Sequence, residues 1–165
     1  LILSLNEKLE TPSYVKWVKK ENLHITLKFF GETEKNNLIE EKMRNLENEI
    51  SAFDISLKGV GAFPDLKKAK ILWVGVEKGK GSLSQLFSIT ENEVAALGFE
   101  REKRNFHPHI TFARVKKGKY SLTRDIDFSF GPFWVEEISL FKSTLTPNGP
   151  IYEILSEIPL RRGKS

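Results

Sequence analysis

Two heptapeptides decide how this chain folds: Leu23-His24-Ile25-Thr26-Leu27-Lys28-Phe29 and Pro108-His109-Ile110-Thr111-Phe112-Ala113-Arg114. Each carries His-Ile-Thr, and together they hold two of the chain's three histidines. Both read as strands, since aromatic and β-branched residues dominate and polar and apolar positions alternate. Successive side chains of a strand point to opposite faces. In the first, His24, Thr26 and Lys28 share one face, while Leu23, Ile25, Leu27 and Phe29 form the core face. In the second, His107, His109 and Thr111 lie opposite Ile110 and Phe112. Each strand therefore turns a histidine and a threonine toward a groove or toward solvent. The two histidines lie 85 residues apart. That spacing suits a duplication into two lobes, each contributing one His-Ile-Thr face to a shared cleft.

Working outward, Tyr14 to Val18 reads as a strand preceding the first motif strand, which runs from Leu23 to Phe30. A helix is expected from Thr33 to about Ile50, with Leu38, Ile39, Met43, Leu46 and Ile50 as its apolar stripe. Phe53 to Val60 alternates as a strand, with Asp54, Ser56 and Lys58 opposite Phe53, Ile55 and Leu57. A polar loop from Pro64 to Lys70 leads into a strand from Ile71 to Val76. A second helix spans about Ser82 to Leu97 on a stripe of Leu83, Leu86, Phe87, Thr90, Val94 and Leu97. Gly98 supplies its stop. The second motif strand, Ile110 to Val115, follows. One long strand from Phe133 to Ser143, a Pro147-Asn148-Gly149-Pro150 turn and a strand from Ile151 to Ile158 complete the chain, with Arg161 to Ser165 as a frayed tail. Long helices set between antiparallel strands give an α+β class. The expected architecture is a bilobal, pseudo-twofold arrangement of two antiparallel sheets with outer helices and the active site in the central cleft. No Pro-, Gly- or Ser-rich linker separates the halves, so residues 1–165 are expected to form one two-lobed domain.

Composition narrows the chemistry. With 165 residues, 39% apolar and 29% charged, the chain can bury one sizeable core. The absence of cysteine excludes disulfides, thiolate nucleophiles and cysteine–zinc sites. No run nears the roughly 18 apolar residues of a membrane span and no signal peptide is visible, so a cytoplasmic location is expected. The net charge of +4 is concentrated in Lys67/Lys68/Lys70, Arg101/Lys103/Arg104 and Lys116/Lys117/Lys119. Loop clusters of this kind suit a polyanionic partner, although solubilising surface charge has the same appearance.

Two imidazoles flanking a phosphodiester divide labour, one neutral as general base and one charged as general acid. Threonine hydroxyls one step along the same face donate hydrogen bonds to the non-bridging oxygens. Such a site needs no metal and no other cofactor. His107 and His109 share a face, but no carboxylate pattern completes a metal site with them.

At these residues the sequence resembles the two-histidine phosphoesterase superfamily, defined by paired His-x-Thr motifs, and within it the RNA 2′,3′-cyclic phosphodiesterases historically named 2′-5′ RNA ligases. The resemblance covers Val15 to Val18, Glu21 to Glu32, Phe106 to Val115 and the Ser143 to Glu153 hairpin. It implies metal-independent hydrolysis of an RNA or nucleoside 2′,3′-cyclic phosphate to a 2′-phosphomonoester, by a monomeric enzyme with no membrane partner. His24 would be the proton donor and His109 the proton acceptor, with Thr26, Thr111 and Arg114 binding substrate. Strand alternation turns Arg114 away from His109, so its role requires a bulge or twist. The resemblance also implies a strand ahead of the helix at Leu1 to Leu9. That strand is missing from the sequence as given, so either the sequence is truncated or the sheet has an open edge. The rival readings are a 2′-5′ RNA phosphodiesterase or ligase running the same acid–base pair, and a non-catalytic RNA-binding module. The latter would present aromatics on an exposed strand face, for which only Phe30 is placed.

Overall fold

A computed structural model describes residues 1–123, 125–147 and 149–161. It is α+β and divides into two compact units. The first unit comprises Leu1–Thr26, Ile55–Lys80 and His107–Phe133. It carries most of a five-stranded sheet in the order β1-β4-β3-β2-β5. These strands are β1 (Val15–Trp17), β2 (Phe53–Phe63), β3 (Ile71–Val76), β4 (His109–Val115) and β5 (Ser129–Val135). Strands β1 and β4, β4 and β3, and β3 and β2 pair antiparallel. One sheet face is aliphatic and buried, with Val74 opposite Ile110 and Leu57 opposite Val76. On the other face, Trp73 stands opposite Thr111, and Gly75 opposite His109. A short helix α1 (Ile2–Asn6) buries Leu5.

The second unit comprises Leu27–Asp54, Gly81–Phe106 and Trp134–Ser165. It holds helices α2 (Asn36–Arg44) and α3 (Leu46–Glu49), nearly all of α4 (Lys80–Ala95), and a two-stranded sheet. That sheet is the antiparallel pair β6 (Glu137–Thr146) and β7 (Gly149–Pro159). Ile39, Met43, Leu46 and Ile50 from the helical segment, Leu86 and Val94 from α4, and Leu140 and Ile158 from the sheet form one buried cluster.

Several expectations are corrected here. The motif segments do not divide between two lobes: residues 24–26 and 109–111 belong to the same unit, joined by an antiparallel bridge between Ile25 and Ile110. Leu23 to Phe30 is not a ladder strand, because Ile25 alone pairs there. The 3-10 turn at Lys20–Asn22 interrupts the approach from β1, which already occupies residues 113–115 of the same β4 edge. The alternation inferred for it therefore fails past Thr26. Phe29 is 83% exposed, whereas Phe30 packs edge-on against Phe99 with ring centroids 5.0 Å apart. The Thr33–Ile50 helix breaks at Asn45 into α2 and α3, and Leu38 falls outside the buried stripe. The strand expected from Phe133 to Ser143 is two strands, β5 and β6, in different sheets. Arg161 is anchored, not frayed: Ala52 N–H donates to its carbonyl at 2.8 Å and its guanidinium donates to Ser51 Oγ. Residues 162–165 of the expected tail, and Asn148 of the expected turn, lie outside the described residues.

Lys28 is also displaced from its expected outward face. Its Nζ meets Glu91 Oε1 at 2.8 Å, with side-chain exposures of 8% and 5%, and donates to the Glu100 carbonyl. Glu91 Oε2 accepts the Glu102 backbone N–H at 2.8 Å. The pair thus ties the segment after the first motif to α4 and to the loop following α4. Removing one partner of a buried pair strands the other charge, at a cost of about 3–5 kcal/mol. Glu91→Ala should lower unfolding stability by about that amount in urea titrations, and Lys28→Met/Glu91→Leu should recover most of the loss. Equal stabilities for wild type and Glu91→Ala would show that the pair contributes nothing.

Candidate active site

The bridge between Ile25 and Ile110 sets the geometry of the site. Continuing that antiparallel register places His24 beside Thr111 and Thr26 beside His109. The four polar side chains therefore share the sheet face opposite Ile110 and Phe112, as a near-symmetric quartet. His24 Nδ1 lies 2.8 Å from the Asn22 carbonyl, and His109 Nδ1 lies 2.6 Å from the His107 carbonyl. A carbonyl only accepts, so each Nδ1 carries a hydrogen and donates. Each Nε2 is thereby left as the proton-exchanging nitrogen, built from the same two-residue local contact in both motifs.

The surroundings of His109 are aromatic. The rings of Phe63, Trp73 and His107 lie 5.2, 5.7 and 6.2 Å from its own, centroid to centroid. Burial pushes the His109 imidazole below its ordinary range. The hydrogen bond to the His107 carbonyl opposes this, and the nearby charges of His107 and His24 add to it. His109 thus favours its neutral form, the state required of a base.

Arg114 lies on the face that simple alternation denies it. Leu72 pairs with Ala113 but Trp73 pairs with Thr111, so Phe112 is an extra residue on β4. Phe112 and Ala113 are both fully buried, which is how a bulge keeps two successive side chains on one face. Arg114 then returns to the face of Thr111 and His109, opposite Ile71 on β3 and Lys16 on β1. Among the described residues no ion pair engages Arg114. His109, Thr111 and Arg114 therefore lie on one face of β4, and the Ile25–Ile110 bridge sets His24 and Thr26 beside that strand. Phe63 and Trp73 were not singled out. Strand alternation in Ile71 to Val76 carried a signal for Trp73, since Leu72, Val74 and Val76 already supply the aliphatic face. Among the described residues no three His, Asp or Glu side chains group as a metal site would require.

Comparisons with known proteins identify the family. Residues 6–146 match the family model described as the 2′-5′ RNA ligase superfamily. The chain belongs to that superfamily. A relative from Methanocaldococcus jannaschii, named RNA 2′,3′-cyclic phosphodiesterase, is 40% identical over 149 residues, covering 87% of this chain and 83% of that one. Another of the same name, from Archaeoglobus fulgidus, is 40% identical over 154 residues, covering 90% and 86%. Among solved structures, TT0787 of Thermus thermophilus superposes with a TM-score of 0.81 at 25% identity, covering 99% and 91% of the two chains. Escherichia coli LigT complexed with 3′-AMP gives 0.75 at 25% identity, covering 96% and 88%. Superfamily membership thus joins the paired His-x-Thr geometry. Among the described residues, no helix is long and apolar enough to cross a membrane.

Because ring packing dries His109, Phe63→Ala should raise its pKa toward the ordinary imidazole value, as read from imidazole proton shifts in an NMR pH titration. An unchanged His109 titration would mean that burial by this wall is not the cause.

Proposed function

We propose that this superfamily member hydrolyses RNA or nucleoside 2′,3′-cyclic phosphates to 2′-phosphomonoesters with His24 and His109 as the acid–base pair and no metal. The observation that carries the proposal is the paired Nδ1–carbonyl contact, which leaves an exchangeable Nε2 on each histidine. The names of the relatives support the substrate class. In this reading neutral His109 takes a proton from water as the water oxygen bonds to phosphorus. The bond from phosphorus to the 3′ oxygen breaks, and imidazolium His24 protonates that oxygen. The 2′ ester bond is kept. Thr26 and Thr111 hydroxyls donate to the non-bridging oxygens, and the Arg114 guanidinium offsets their charge.

General acid–base residues contribute about two to four orders of magnitude. His24→Ala and His109→Ala should each lower turnover of adenosine 2′,3′-cyclic phosphate by roughly that factor, with circular dichroism unchanged. The double variant should be scarcely slower, since the two act as a unit. Wild-type turnover should persist in EDTA and yield the 2′-phosphate alone. Loss of activity on chelation, or folded single variants with near-normal rates, would overturn the mechanism. A charge-assisted hydrogen bond contributes about 1.5–3 kcal/mol, so Arg114→Ala should lower kcat/KM roughly ten- to a hundred-fold. An unaffected kcat/KM would place Arg114 outside the substrate contacts.

A further inference from the structure

The two Nδ1 contacts are chemically alike but held differently. The Asn22 carbonyl that accepts from His24 belongs to the Asn22–Leu23 peptide. The N–H of that same peptide donates to the Lys20 carbonyl at 3.2 Å, and Asn22 N–H donates to the Lys19 carbonyl at 2.9 Å. The 3-10 turn therefore fixes the plane of the accepting group. The His107 carbonyl that accepts from His109 belongs to the His107–Pro108 peptide. Proline has no N–H, so that plane cannot be tied through its nitrogen. Strand β4 begins at His109, so the ladder does not reach the plane either. What holds residue 107 is its side chain. The exposed His107 ring packs edge-on against Trp73, with centroids 5.1 Å apart and an interplanar angle of 67°. Trp73 is itself set in β3 by its register with Thr111 and Gly61.

We infer that the His107 side chain is a positioning residue: its packing on Trp73 holds the carbonyl that fixes the tautomer of His109. The inference rests on the function proposed above, in which His109 is the base, and names what keeps that base competent. The residue before a proline is confined to extended backbone. Docking the ring on Trp73 removes much of the freedom that remains, and the carbonyl direction follows. A base must offer a lone pair at Nε2, so the hydrogen of neutral His109 has to sit on Nδ1. Only an acceptor beside Nδ1 enforces this. The His107 ring is needed for its shape and not for its charge, so another ring serves in its place.

The test compares His107→Ala, which keeps the carbonyl and loses the ring, with His107→Phe, which keeps a ring that cannot titrate. Residue 107 is exposed, so neither change removes core packing. Imidazole nitrogen NMR shifts, read where His109 is neutral, report its tautomer without substrate. Wild type and His107→Phe should hold the hydrogen on Nδ1, whereas His107→Ala should show a mixture with the Nε2–H form. On adenosine 2′,3′-cyclic phosphate, His107→Ala should lower kcat about ten-fold, the equivalent of one hydrogen bond. KM should change little, and His107→Phe should restore kcat. An unchanged tautomer in His107→Ala would overturn the inference whatever the rate. So would an unchanged kcat in that variant, or a His107→Phe variant as impaired as His107→Ala. If wild type turned over no cyclic phosphate, the proposed reaction would be wrong, yet the tautomer change in His107→Ala would still support the positioning role.

Discussion

A single antiparallel bridge, Ile25 against Ile110, sets the arrangement on which the site depends. It joins the buried Ile110 to the half-buried Ile25, and its register sets each histidine beside the other motif's threonine. Alternation makes this register all or nothing, since a slip of one residue would send a motif's polar pair into the aliphatic layer. Two identical tripeptides paired in this way generate local twofold symmetry from sequence alone. The shared contact from Nδ1 to the carbonyl two residues earlier is the same symmetry at atomic scale. The bridge alone brings the first motif segment alongside β4, within the same compact unit.

The bulge at Phe112 and Ala113 departs from that regularity, and the backbone around it remains satisfied. An extra residue in a ladder leaves its peptide groups without the usual partner. Here the Phe112 carbonyl accepts the Val18 N–H at 2.7 Å, so the strand flanking β4 on its other side supplies the bond. Phe112 also packs against Trp17, with the rings tilted and their centroids 5.2 Å apart. Two successive apolar residues enter the core, and the cation that follows is carried to the polar face. A guanidinium on the core side would have met the fully buried surroundings of Leu72 and Phe112, an environment in which an unpaired charge is prohibitively costly.

Much of this was legible in the chain. The shared face of His109 and Thr111 follows from alternation along the second motif strand, and strand β3 was expected at its observed bounds. The failures lie where a local rule met a tertiary one. Alternation put Phe29 in the core and Lys28 outside, but the segment leaves the ladder after Ile25, and the buried carboxylate of Glu91 decides where Lys28 goes. Nothing along the sequence near Lys28 announces a partner so distant in the chain. Arg114 shows the converse case. The need for a bulge was visible in the strand's parity, but its position was not, because a bulge is chosen by what the neighbouring strands can pair.

Symmetry in the backbone does not make the two histidines equivalent. Both have the same local hydrogen bond, so what distinguishes His109 comes from β2 and β3, in the rings of Phe63 and Trp73 packed beside it. Those rings withdraw water and penalise the imidazolium, which assigns His109 the neutral role in the proposed reaction. A proton lost from one member of such a pair alters the affinity of the other, so the pH dependence belongs to the pair.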